Sequence, residues 1–159
     1  MLNMNKTDSF QFQNSKWFGL PTNAWLQIVV SKHFDPDHGS QYWLDKEREL
    51  GINAIKEINT LDDLKFLGPM CEDDLRKYPI EHFIPKIYLN RKNMFILGET
   101  AGTTGRPKVT AYRMDEFLSV FVDWFACIAK KRGFPVGGNW LWIGPSGPHI
   151  IGKAVGHVA

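Results

Sequence analysis

The residues whose types and spacing most plainly suit a chemical task form one nonamer, Thr100-Ala101-Gly102-Thr103-Thr104-Gly105-Arg106-Pro107-Lys108. Its two glycines admit positive φ and let successive backbone N–H groups converge on an anion as a nest. Thr103 and Thr104 add hydroxyl donors, and Lys108 adds a compact cation suited to phosphate. Pro107 fixes the exit angle of the chain. A Walker A loop is excluded, because that motif runs Gly-Lys-Ser/Thr into a helix, whereas here Pro precedes the Lys and a strand is expected next. Composition alone equally allows a Gly/Thr-rich turn with no ligand.

The remaining polar candidates are weaker. His33, Asp35, Asp37 and His38 could be drawn as metal ligands, but Pro36 and Gly39 make the stretch a turn, and a solvated loop is expected. His82 and His157 have no partner that spacing identifies. Cys71 and Cys127 fit no C-x-x-C or Cys/His pattern, so a reduced chain without a metal site is expected. Trp140 and Trp142 are expected in the core.

Elements must hold the loop in place. Residues 1–15 read as a polar, flexible tail and residues 16–92 as a helical segment. Residues 93–159 read as the start of an α/β domain. A helix is predicted over Gln41–Leu50 with Gly51 at C′. Thr60 begins a capping pattern with Asp63, and a second helical start at Cys71–Arg76 stops at Pro79. Strands are predicted at Met94–Leu97 and Val109–Tyr112, on either side of the loop. A long helix follows from about Asp115 to Arg132, with Phe117, Phe121, Trp124, Phe125 and Ile128 on one apolar face and Gly133 as its cap. Trp140–Ile143 is predicted as a third strand, and the turn Gly144–Pro148 opens into another helix. Strand, crossover helix and strand together predict a parallel sheet. The apolar stretch from His149 to Ala159 and the helix face carrying Phe121, Trp124 and Phe125 are expected to lack cover, which implies further chain or a partner.

Composition narrows the classes. The 159 residues are 43% hydrophobic and 23% charged, with six Trp, as in a single globular domain rather than a disordered chain. The formal net charge is +2 and the longest basic tract is Lys130-Lys131-Arg132, so no nucleic-acid partner is expected. No apolar signal segment is evident at the start, and Ala24–Val30, broken by Gln27, falls short of a membrane span. No membrane partner and a cytoplasmic location are therefore expected.

The nonamer closely resembles the phosphate-binding loop of the adenylate-forming superfamily, Ser/Thr-Ser-Gly-Ser/Thr-Thr-Gly-x-Pro-Lys. It matches at Thr100, Gly102, Thr103, Thr104, Gly105, Pro107 and Lys108. Ile58–Leu67 and Asp73–Pro79 are similar to the upstream segment of the phenylacetate–CoA ligase-like branch. The resemblance implies an α/β fold, the N-terminal part of the large domain of an adenylate-forming enzyme with small helices at its N-terminus. It implies an ATP-dependent carboxylate-activating ligase working through an acyl-adenylate, with Mg2+ accompanying ATP, a carboxylic acid as substrate and coenzyme A as a candidate acceptor. Thr100, Gly102, Thr103, Thr104, Gly105 and Lys108 would bind the nucleotide phosphates. His149 lies where the family places a turn beside the acyl pocket. A helix-capping turn with a surface His is the alternative there.

Two departures qualify the resemblance. Ala101 replaces the usual Ser, removing one hydroxyl donor. The family's ribose-binding acid, hinge and catalytic lysine are not recognised, so no catalytic residue is assigned. The expectation is an N-terminal piece, inactive alone, with a complementary C-terminal chain as partner. The alternatives are a non-catalytic nucleotide- or phosphate-binding module, or a structural protein whose loop is only a turn.

Overall fold

The computed structural model describes residues 16–17, 19–100, 102 and 105–158. The tail 1–15, together with Ala101, Thr103 and Thr104, lies outside the described residues. The fold is mixed α/β and mostly helical, and its chain contacts divide it into two compact units. One comprises Met1–Met70 and Glu81–Leu89; the other comprises Cys71–Ile80 and Asn90–Ala159.

In the first unit, β1 (Lys16–Trp17) and β2 (Leu20–Pro21) form a short antiparallel pair. Helix α1 (Thr22–His33) follows directly from Pro21. Along it, Leu26, Val30 and Phe34 recur every four residues and form one buried row. Ala54, Ile58 and Leu67 complete that core. Helix α2 (Gln41–Leu50) ends as expected at Gly51, whose φ of 64° lets its N–H reach the carbonyls of Glu47 and Arg48. A short turn, α3 (Ala54–Glu57), is capped by the Asn53 side chain, which accepts from the Lys56 N–H. The Thr60–Asp63 cap forms too: Asp63 Oδ2 accepts from the Thr60 N–H and hydroxyl, each at 2.8 Å. The turn it starts, Leu61–Leu67, is a 3₁₀ helix.

The solvated-loop expectation for residues 33–38 divides. Asp35 Oδ1 accepts the N–H groups of Asp37 (3.0 Å) and His38 (2.7 Å), giving a plain Asx turn with His38 exposed. His33 instead turns inward and meets the hydroxyl of fully buried Ser40 at 2.6 Å.

In the second unit, α4 (Asp74–Lys77) ends two residues before Pro79. Strands β3 (Phe95–Glu99) and β4 (Val109–Arg113) form an antiparallel hairpin with Phe95 opposite Arg113 and Glu99 opposite Val109. The parallel sheet expected from sequence is therefore corrected: the described strands of this unit form one two-stranded antiparallel sheet. The chain then runs helically through α5 (Met114–Phe117), a π-helical stretch (Leu118–Asp123) and α6 (Trp124–Lys131), and turns at Gly133 with φ of 77°. Helix α7 (Ile150–Val158) packs Ala154 and Val158 against Ile96, Phe117 and Val122.

The π-helical stretch rewrites the expected apolar face. Its i→i+5 bonding adds a residue to the turn, so the side facing the core steps from Phe117 to Val122. It continues through Ala126 to Ala129. Phe121 remains half-buried, while Trp124 is 64% exposed and Phe125 and Ile128 are exposed. In α7 the expected exposure is corrected, since Ala154, Val155 and Val158 are buried.

The third strand does not form. Gly137 and Gly138 precede Trp140–Ile143 and Pro145 follows it, and each indole N–H is taken by a proline carbonyl. Trp140 bonds Pro135 at 2.6 Å and Trp142 bonds Pro145 at 3.1 Å. Leu141 and Ile143 are each 87% exposed, which also corrects the core assignment around Trp142. Trp140 alone leans on the core. Among the described residues, no helix is long and apolar enough to cross a membrane.

Candidate functional site

The hairpin register brings the ends of the nonamer together. Beyond the Glu99–Val109 pair, the Thr100 N–H donates to the Lys108 carbonyl at 3.1 Å, and the Lys108 N–H donates to Thr100 Oγ1 at 3.0 Å. Thr100 thus closes the loop with backbone and side chain at once, and its hydroxyl proton remains a donor. Within the loop, the Gly105 N–H donates to the Gly102 carbonyl at 3.2 Å, so this N–H serves the turn itself.

Gly102 is required twice over. Its φ is 67°, and an added Cβ would lie 3.0 Å from the Gly105 carbonyl oxygen and 3.1 Å from Pro107 Cγ. Gly105 has a φ of 139°, with open space where a Cβ would stand. Both glycines therefore hold positive-φ conformations that a side chain would strain, and at Gly102 a Cβ would also crowd its neighbours.

The charges sit at the loop's edge. Lys108 Nζ pairs with the Glu72 carboxylate, and Lys108 is 21% exposed where Glu72 is 77% exposed. The Lys108 hydrogen bond and charge hold the Glu72 carboxyl below the ordinary carboxylate range. Four residues on, Arg76 Nε donates to the Arg106 carbonyl at 2.7 Å, while its Nη1 pairs with Asp73. The segment before and through α4 is thus fastened to the loop at two points. Beside it lies a groove of about 350 Å³ lined by Tyr78, Pro79, Ile80, Glu99, Arg106 and Pro107, among others.

His149 reaches the base of the same loop through its backbone. It forms a single parallel bridge with Glu99, whose N–H donates to the Pro148 carbonyl at 2.9 Å. The approach needs Gly98, where a Cβ would run into Ile150, and Gly152, where a Cβ would run into the Pro145 carbonyl. The His149 Nδ1 is buried and has no hydrogen-bond partner among the described residues. In the other unit, the side-chain ligand atoms of Asp35, Asp37 and His38 lie within 4.8 Å of one another around the Asx turn.

Sequence reasoning assigned Lys108 and the glycines to the loop but did not find Glu72, Arg76 or Glu99. Glu72 lies 36 residues from Lys108, and a separation of that length carries no local signal. No family model matches this chain, and no curated protein matches it either.

Proposed function

We propose that this chain carries the phosphate-gripping part of an ATP-dependent carboxylate-activating ligase, of the acyl- or aryl-CoA ligase-like kind. The observation that supports it most is the hairpin loop Thr100–Lys108, closed at its base by reciprocal Thr100–Lys108 bonds and curled by two positive-φ glycines. Such a loop offers a polyanion the Lys108 ammonium and the Thr100 hydroxyl from a fixed base, which lowers the ordering cost of binding. ATP, with Mg2+, would supply the phosphoanhydride that a carboxylic acid cleaves to form an acyl-adenylate, with coenzyme A as acceptor.

The roles of this chain's own residues follow from their chemistry. Lys108 neutralises charge on the β,γ-phosphates, where pyrophosphate leaves, and Thr100, Thr103 and Thr104 donate hydroxyls. Gly102 and Gly105 supply the positive-φ backbone that the turn needs. His149, placed at the end of β3 with an unpartnered Nδ1, is suited to a carboxylate or to shaping its pocket. The remaining catalytic groups are assigned to a complementary C-terminal segment or chain, and the setting proposed is cytoplasmic.

Calorimetric titration with MgATP and with pyrophosphate tests the reading. Charge-assisted contacts contribute about 1.5–3 kcal/mol each. Lys108→Ala should therefore weaken binding roughly ten- to a hundredfold. Equal affinity in wild type and Lys108→Ala would refute the loop assignment. Binding without any acyl-adenylate, even after a complementary C-terminal half is supplied, would favour the non-catalytic module instead.

A further inference from the structure

We propose that Glu72 is an anionic placeholder on Lys108: its carboxylate occupies the ammonium in the free protein, and a phosphate ligand binds by displacing it. The inference rests on the reading of Thr100–Lys108 as a phosphate loop and adds how that loop is held before binding. Three observations carry it.

First, the pair is built from outside the loop. Glu72 precedes α4, and that segment is anchored independently by the Arg76 bond to the Arg106 carbonyl. The carboxylate can therefore leave Lys108 while its backbone stays fastened to the loop. Second, the two partners differ in their access to water. Glu72 is 77% exposed and can be rehydrated on release, whereas Lys108, at 21%, depends more on whichever anion it faces. Third, the geometry is competitive. An ammonium has three donors but one positive charge, and a carboxylate left beside an arriving polyanion would repel it. Glu72 must swing away for Lys108 to serve a phosphate, and its exposed side chain has room to do so.

A placeholder has a consequence for selectivity, since it weakens small single-charge anions more than polyphosphates. A polyphosphate brings several charges to displace one carboxylate. A chloride-sized anion brings only one.

The test is pyrophosphate calorimetry on the full chain, using wild type, Glu72→Gln, Lys108→Ala, the double variant and Asp123→Asn as a control for net charge. Glu72→Gln should bind pyrophosphate roughly two- to fivefold tighter than wild type, the size expected when an exposed ion pair no longer competes. The gain should vanish in the Lys108→Ala background, and Asp123→Asn should bind as wild type does. Thermal melts confirm folding, and Glu72→Ala serves in place of Glu72→Gln if the latter does not fold. If wild type binds and Lys108→Ala weakens it, but Glu72→Gln binds equally or more weakly, the placeholder is overturned and the loop assignment stands. A gain that persists without Lys108 also overturns it, because repulsion alone would then explain the effect. If no variant binds pyrophosphate, the loop assignment falls and takes the placeholder with it.

Discussion

Burial of the His33 ring should make the first unit lose stability as pH falls from about 6.5 towards about 4. Its Nδ1 lies 2.6 Å from Ser40 Oγ, and that hydroxyl lies 3.3 Å from the Phe83 carbonyl oxygen. One neutral tautomer satisfies both contacts: Nδ1–H donates to Ser40, and Ser40 donates to Phe83. Burial lowers the His33 pKa from 6.5 to about 4. In the unfolded chain the ring titrates near 6.5, so between that value and about 4 the unfolded state binds more protons. Stability therefore rises with pH across this window and is lost as pH falls through it. The full difference amounts to about 3 kcal/mol at 1.36 kcal/mol per pH unit, an upper figure because water can reach a partly buried ring. Urea unfolding of wild type and His33→Gln at intervals from pH 7.5 to 4 measures it, with the variant's curve expected to be flatter. NMR titration of the imidazole should place its pKa near 4 and its proton on Nδ1. A His33 titrating near 6.5, or parallel pH profiles for the two proteins, would refute the reasoning.

Three further outcomes test the unit that holds the loop. Phe117 is fully buried between the Tyr112 and Phe121 rings, so Phe117→Ala should cost about 3–5 kcal/mol, read as a lowered urea midpoint. Gly152→Ala should destabilise by about 1–3 kcal/mol, because the new methyl meets the Pro145 carbonyl and, at 3.2 Å, the Ser146 backbone. Gly156→Ala, in the same helix with open space around it, should instead stabilise by about 0.5–1 kcal/mol.

What the sequence made legible was local, and the structure shows why. Gly51 and Gly133 end their helices because a residue of positive φ is needed where the last N–H groups turn back, and that need is written in one residue. Thr60 and Asp63 bond across three positions, and the strands at either side of the loop are set by short apolar runs. The strands flanking the loop were placed from sequence, but their antiparallel pairing, which joins Thr100 to Lys108, is seen only in the structure.

The unreadable features depend on phase or distance. The apolar face from Phe117 to Ile128 is a correct helical pattern, yet six π-helical residues rotate its second half away from the core. Trp124 then faces solvent, and the small residue Ala129 faces inward. A period of 3.6 cannot announce its own interruption. Trp140–Ile143 fails as a strand for a different reason: a strand exists only where a neighbour offers its ladder, and the edge of β3 is met instead at Glu99 by Pro148 and His149. The same logic applies to charge. Glu72 looked like any acid at a helix start, and His33 looked like any histidine in a turn. Their roles come from Lys108 and Ser40, which the chain brings to them across 36 and 7 positions. A side chain's type sets what it can do, but its partner decides what it does. At this loop the partner already in place is the Glu72 carboxylate, which under the proposal above a phosphate ligand would displace.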